Sequence, residues 1–224
     1  MNRGVRKLLK SLHPEGIPWP GSAIYNAAAG SAVFQRHYEL LAADISRYCS
    51  EGGLLDVGAG PGYLLVKLHR LCPSLRLAGL DASPSMVLRA AENVQRAGLT
   101  GSVEILEGFA QKLPFDAESF DAVVSTGTVH HWKDPISGLN EAHRVLKKGG
   151  HALMYDLVSD VPAGVREAVA REFGRLSMAL LWVHMFTEPF YTMEDFERLG
   201  CSSLFREARV GFVGAFCCLV MRKE

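Results

Sequence analysis

Residues 54–64 read LLDVGAGPGYL: an apolar run, an acid at Asp56, then glycine at positions 58, 60 and 62. A buried strand that opens into a glycine-rich turn is the first part of a strand–loop–helix unit, and such turns often hold phosphate. In open parallel sheets the ligand lies outside the carboxyl ends of the strands, where the strand order reverses. Glycine lets the backbone turn sharply there and lets a ligand approach with no Cβ in the way.

Two phosphate-binding patterns fail on residue type. The phosphate loop of nucleotide hydrolases needs GxxxxGK followed by Ser or Thr, and neither the Lys nor the hydroxyl is present. The dinucleotide fingerprint GxGxxG places its third glycine where this chain has Tyr63, a ring that opposes close helix–strand packing. Pro61 also removes one N–H from the loop, which lowers its value as an anion cradle.

Outward from the loop the chain alternates. Strands are expected at Leu54–Val57, Leu75–Leu80, Val103–Leu106, Asp121–Ser125 and His151–Asp156. Helices are expected between them: Pro61–Leu71, one opened by Ser83-Pro84 and closed by Gly98, and one opened by Asp134-Pro135 and closed by Gly149. A helix at Ala32–Tyr48 precedes the series, with Phe34, Tyr38, Leu41 and Ile45 at helical spacing. After it come a helical stretch at Pro162–Val183, a helix closed by Gly200, and two β-prone runs, Ser203–Val210 and Ala215–Met221, around Gly211 and Gly214. The expected fold is α/β: a Rossmann-like, doubly wound, seven-stranded sheet, mostly parallel, with an antiparallel C-terminal strand and helices on both faces. The 224 residues are read as a single domain: an arm and lid helix at 1–48, a cofactor-binding core at 49–157, a helical cover at 158–192, and a helix with a hairpin at 193–224.

Composition narrows the partners. Charge balances at 24 basic and 24 acidic residues, with 48% hydrophobic residues, which gives no electrostatic case for nucleic acid. Basic residues crowd the first ten positions (Arg3, Arg6, Lys7, Lys10), the pattern of a solvated terminus. No segment approaches the roughly 18 apolar residues of a membrane span. No signal-peptide run is seen, so a cytoplasmic location is expected and no membrane partner. The five cysteines (Cys49, Cys72, Cys201, Cys217, Cys218) form no CxxC pair and read as buried reduced thiols, so no metal site is expected.

Five motifs in order resemble the class I S-adenosylmethionine-dependent methyltransferases. LLDVGAGPGYL is similar to that family's first motif, GLDASPSM (79–86) to its second, EGFAQKLPF (107–115) to its third and FDAVVSTGTVHHW (120–132) to its fourth. EAHRVLKKGG (141–150) resembles the helix and turn before the fifth strand. The resemblance spans about residues 52–155 and is nearest to the small-molecule group that includes ubiquinone and menaquinone biosynthetic enzymes. It implies S-adenosylmethionine as cofactor, a small and partly apolar acceptor, and in-line methyl transfer.

The resemblance also assigns residues. Asp81, 19 positions after Gly62, is placed to accept from both ribose hydroxyls, with Ala82 beside it. Asp56 supports the loop and meets the methionine ammonium, while Gly58, Ala59 and Gly60 pass closest to the methionine portion. Gly62 serves helix packing. Met86 faces adenine or fills the core; Ser125 and Thr126 line the pocket near the sulfonium; Tyr25 and Arg36 either reach the cofactor carboxylate or are surface or packing residues. Where the family has Gly-Asp-Ala, this chain has Gly108-Phe109-Ala110, so the acid that accepts from the adenine amino group is missing. Phe109 presses on adenine instead, and the neighbouring Gln111 or a water supplies the acceptor. Losing one neutral hydrogen bond costs about 0.5–1.5 kcal/mol, tenfold in affinity at most.

His130 and His131 are the candidate general bases, or else a structural pair beside Trp132; His184 and Tyr191 are weaker candidates. Trp182, Met185 and Phe186 line an apolar acceptor cavity or pack the cover. Two other readings stay open: a nicotinamide-dinucleotide oxidoreductase, whose ribose Asp81 serves equally well, and a non-catalytic S-adenosylmethionine-binding protein.

Overall fold

The computed structural model describes residues 30–174 and 190–224. Tyr25, Trp182, His184, Met185 and Phe186 lie outside the described residues, as do the basic arm and the end of the expected Pro162–Val183 stretch.

Helix α1 (Ala32–Ile45) leads into β1 (Gly52–Val57), α2 (Tyr63–Leu71), β2 (Leu75–Asp81), α3 (Pro84–Arg96), β3 (Val103–Glu107) and β4 (Phe120–Thr126). A 3-10 turn at Val129–His131 follows, then α4 (Pro135–Val145), β5 (Leu146–Asp156), α5 (Ala163–Phe173), α6 (Met193–Cys201), β6 (Arg209–Val213) and β7 (Phe216–Arg222). The seven strands form one sheet in the order β3-β2-β1-β4-β5-β7-β6. β1 to β5 run parallel, and β7 enters antiparallel between β5 and β6. This is the doubly wound sheet with an antiparallel C-terminal strand that the alternation implied.

Strict alternation along each strand makes two cores. Leu54, Val124, Leu153, Tyr155 and Cys218 pack on one face with Leu41 of α1 and Leu64, Leu65 and Leu68 of α2. Leu55, Val57, Val123, Met154 and Cys217 pack on the other with Leu139 of α4 and Phe196 of α6. Adjacent residues 217 and 218 thus face opposite sides, as period-two geometry requires. All five cysteines are free; Cys201 is exposed and the other four are buried.

Three element ends differ from the sequence reading. Gly149 does not close α4: the helix stops at Val145 and β5 starts at once. The register advances from Phe120↔Leu146 to Ala122↔His151, so residues 147–150 bulge out of β5. Gly149, at φ 80°, makes that bend, while Lys147 reaches across to Asp121 at 2.8 Å. Gly200 likewise lies inside α6, where any Cβ would stand 2.6 Å from Ala208. Close packing, not helix termination, explains it. The run Ser203–Val210 is mostly turn, and its strand is displaced to Arg209–Val213. The Asp134 start is as expected: its carboxylate accepts the Ser137 N–H at 3.1 Å.

Candidate cofactor and acceptor site

β1 is flanked by β2 on one side and β4 on the other, so the winding direction reverses between β1 and β4. The glycine loop leaves β1 at this switch point, the crevice where open α/β sheets take their ligands.

The loop's own amides are all engaged within the protein. Gly58 and Ala59 donate to the Leu80 carbonyl at 2.7 and 3.0 Å, Gly60 donates to Asp81 Oδ2 at 2.8 Å, and Gly62 donates to the Ala59 carbonyl at 2.9 Å. Pro61 has no N–H. The loop therefore leaves no donor for a phosphate, whichever nucleotide carries it. Gly58, Gly60 and Gly62 all adopt the left-handed region, with φ of 82°, 52° and 74°. A Cβ on Gly58 would come within 2.5 Å of Thr128, and one on Gly62 within 3.2 Å of Ala90 in α3. Gly62 thus serves helix packing, while Gly58 lets the exit of β4 close onto the end of β1.

Asp81 ends β2 and is half-buried. Its Oδ2 takes the Gly60 N–H and its Oδ1 takes the Ser83 N–H at 2.9 Å. Burial raises its pKa, partly offset by those two backbone hydrogen bonds. Each oxygen keeps a second lone pair, so the carboxylate can brace the loop and still accept from a vicinal diol. The support assigned by resemblance to Asp56 comes from Leu80 and Asp81.

Asp56 has a different character. It sits one residue before the end of β1, fully buried, and its Oδ1 has no hydrogen-bond partner among the described residues. Desolvation, with a smaller contribution from the Asp81 charge, pushes its pKa up to about 8. A buried acid with an orphan oxygen is an incomplete arrangement that a cation completes.

The remaining assigned residues fall as follows. Ala59 and Ala110 are buried, and Ala82 stands half-buried after Asp81. Met86, 2% exposed in the first turn of α3, holds a core position. Phe109 is 49% exposed at the turn after β3, and Gln111 is half-buried two residues on. Ser125 is fully buried and its hydroxyl meets that of Thr128 at 2.6 Å. Thr126 ends β4, and its buried hydroxyl lacks a partner among the described residues. Arg36 is exposed on α1 and bonded to Glu172 and Glu39. Tyr191 is buried beside Phe196.

His130 is buried, and its Nδ1 lies 2.9 and 3.0 Å from the two oxygens of Asp156, which ends β5. His131 is half-buried with its ring 3.9 Å from that of His130. Asp156 and Thr128 were not picked out from sequence. An acid closing an expected strand, as at Asp56 and Asp81, was a usable signal for Asp156; nothing marked Thr128.

The chain is similar to known proteins over the motif region and in fold. A methyltransferase-domain family matches residues 55–154. A 2-methyl-6-phytyl-1,4-hydroquinone methyltransferase of Oryza sativa subsp. japonica is 38% identical over 101 residues, 45% of this chain and 28% of that one. A demethylmenaquinone methyltransferase of Chlorobaculum tepidum is 29% identical over 193 residues, 80% of this chain and 77% of that one. The chain thus spans under a third of the rice relatives' length, at 28% and 29%. Among solved structures, a candidate S-adenosyl-L-methionine-dependent methyltransferase of Methanococcus maripaludis aligns at TM-score 0.68 and 20% identity, covering 94% of this chain and 97% of that one. One from Aquifex aeolicus aligns at 0.59 and 21%, covering 80% and 86%. The motif series and the strand order agree with this: over residues 55–154 the chain carries a methyltransferase domain, similar to those of the class I S-adenosylmethionine-dependent methyltransferases.

Proposed function

We propose that this protein transfers a methyl group from S-adenosylmethionine to a small, partly apolar acceptor of the hydroquinone class. The observation that carries the reading is the pairing of a loop with no open donors and a buried Asp56 with an unpartnered oxygen. Such a site suits a nucleoside whose tail is a cationic amino acid and disfavours one whose tail is a pyrophosphate. The nicotinamide-dinucleotide reading is disfavoured on the same ground.

Bound S-adenosylmethionine supplies an electrophilic methyl on a sulfonium, so the chain's task is alignment, which can contribute about 7–11 kcal/mol. In this reading Asp56 holds the ammonium, and Asp81 holds the ribose hydroxyls while fixing the loop. Phe109 offers its exposed ring to the adenine, with Gln111 beside it. Thr126, whose hydroxyl is buried and unpartnered among the described residues, ends the neighbouring strand. The hydroquinone class comes from the names of the relatives, and the balanced charge supports a small neutral acceptor over nucleic acid.

Isothermal titration calorimetry with S-adenosylhomocysteine, and with NAD as the contrast, tests the cofactor. Binding of the first and none of the second is expected; the reverse would overturn the reading. Release of S-adenosylhomocysteine in the presence of a reduced demethylated naphthoquinone then separates an enzyme from a non-catalytic binding protein.

A further inference from the structure

His130 and Asp156 stand at the carboxyl ends of β4 and β5, on the strand pair that continues the sheet from the glycine loop. Asp156 is fully buried and receives three donors. The His130 N–H reaches Oδ2 at 2.9 Å, the Leu157 N–H reaches Oδ1 at 2.8 Å, and His130 Nδ1 lies 2.9 and 3.0 Å from the two oxygens. A carboxylate held by backbone donors accepts from the imidazole, so the proton of a neutral ring belongs on Nδ1 and the lone pair on Nε2. That Nε2 is buried and has no hydrogen-bond partner among the described residues. The ring is steadied by His131 at 3.9 Å and Phe190 at 4.3 Å between centroids.

A pure brace has no use for an orphan nitrogen. The backbone N–H of residue 130 already ties the turn to Asp156, and an apolar ring would fill the space without burying an unpaired acceptor. A buried acceptor of fixed tautomer, one strand from the β1 loop, is instead the form of a general base.

We propose that His130 takes the hydroxyl proton of the methyl acceptor through Nε2, with Asp156 as its positioning residue; this rests on the proposed methyl transfer to a hydroquinone-type ring. Nε2 accepts the O–H proton, and the electron pair left on oxygen spreads to the adjacent ring carbon, which becomes the nucleophile. After methylation that carbon loses its hydrogen as a proton to solvent. The imidazolium then returns its proton to the oxygen, so one proton leaves per turnover and His130 is regenerated. Two titratable groups face the pair: His131, whose ring contacts that of His130, and Cys217. Cys217 is the β7 partner of Asp156 in register, and burial pushes its thiol up to about 12, so it stays neutral.

The first test needs no turnover. Nitrogen-15 NMR of the histidines in the intact protein should show His130 as the Nδ1–H tautomer; an Nε2–H tautomer would overturn the assignment. The second is His130→Asn, which keeps a donor near the Nδ1 position. S-adenosylhomocysteine affinity should stay within twofold, while turnover of a reduced demethylated naphthoquinone falls about 10²–10⁴-fold. The lost rate should return at high pH, where the acceptor ionises unaided. Turnover within a few-fold of wild type at neutral pH would overturn the inference. Failure of the unmodified protein to bind S-adenosylhomocysteine would instead overturn the cofactor reading, with the tautomer measurement still deciding the state of the pair.

Discussion

At the scale of single residues, Asp56 shows how one carboxyl can report ligand charge. In the empty protein it is protonated below about pH 8, because burial disfavours its charge and Asp81 adds repulsion. An ammonium seated against it favours the ionised form, so one proton should leave on binding near pH 7. Calorimetry in buffers of different ionisation enthalpy measures that proton. Asp56→Asn should abolish its release and weaken S-adenosylhomocysteine by roughly 10–150-fold, the worth of a charge-assisted hydrogen bond. The same acid affects stability. Its native pKa lies above its ordinary 3.8, so its contribution is full below that value and is lost as pH rises through about 8. Melting temperature across that window should therefore fall less in Asp56→Asn than in the wild type. Sequence made Asp56, Asp81 and the glycines legible, because each must be of its type at its spacing. It could not show the contact between Ser125 and Thr128, since an outward hydroxyl and one bonded to a neighbour read alike in a string of letters.

At the scale of elements, the turn between β1 and α2 joins conformation to packing. Gly62 is the residue before α2, at φ 74°, with Ala90 of α3 3.2 Å from where a Cβ would stand. Gly62→Ala combines a left-handed penalty of about 1–2 kcal/mol with overpacking of about 1–3 kcal/mol. Urea unfolding should show the unfolding free energy lowered by that sum, read as a lower midpoint at an unchanged slope. Strand and helix types followed from periodicity, and the ends that failed share a cause. Gly149 and Gly200 look like helix stops, yet one bends a strand around the Asp121–Lys147 pair and the other admits Ala208. Glycine signals a need for small size or unusual φ without saying which, and only long-range contacts decide. The Asp156–His130 pair was hidden for the same reason, its members lying 26 positions apart.

At the scale of the whole molecule, β7 ties the last described residues into the sheet between β5 and the edge strand β6. It pairs with β5 along His151–Asp156, and Phe216–Leu219 are buried against both cores. The stretch 49–157 carries all five motifs but leaves β5 as an open, apolar edge when cut out. That fragment alone should give no cooperative thermal transition by circular dichroism, whereas the full chain should; a cooperative transition from the fragment would mean that the motif region is a domain in its own right. Motif content and folding unit are thus different things here, and sequence shows the first far more plainly than the second. The glycine loop has a last consequence, for selectivity inside a cell. Its amides are committed to Leu80, Asp81 and Ala59 before any ligand arrives. Nucleoside triphosphates and dinucleotides therefore find no anchor for their phosphates at Gly58, Ala59, Gly60 or Gly62, the amides that the loop spends on its own shape.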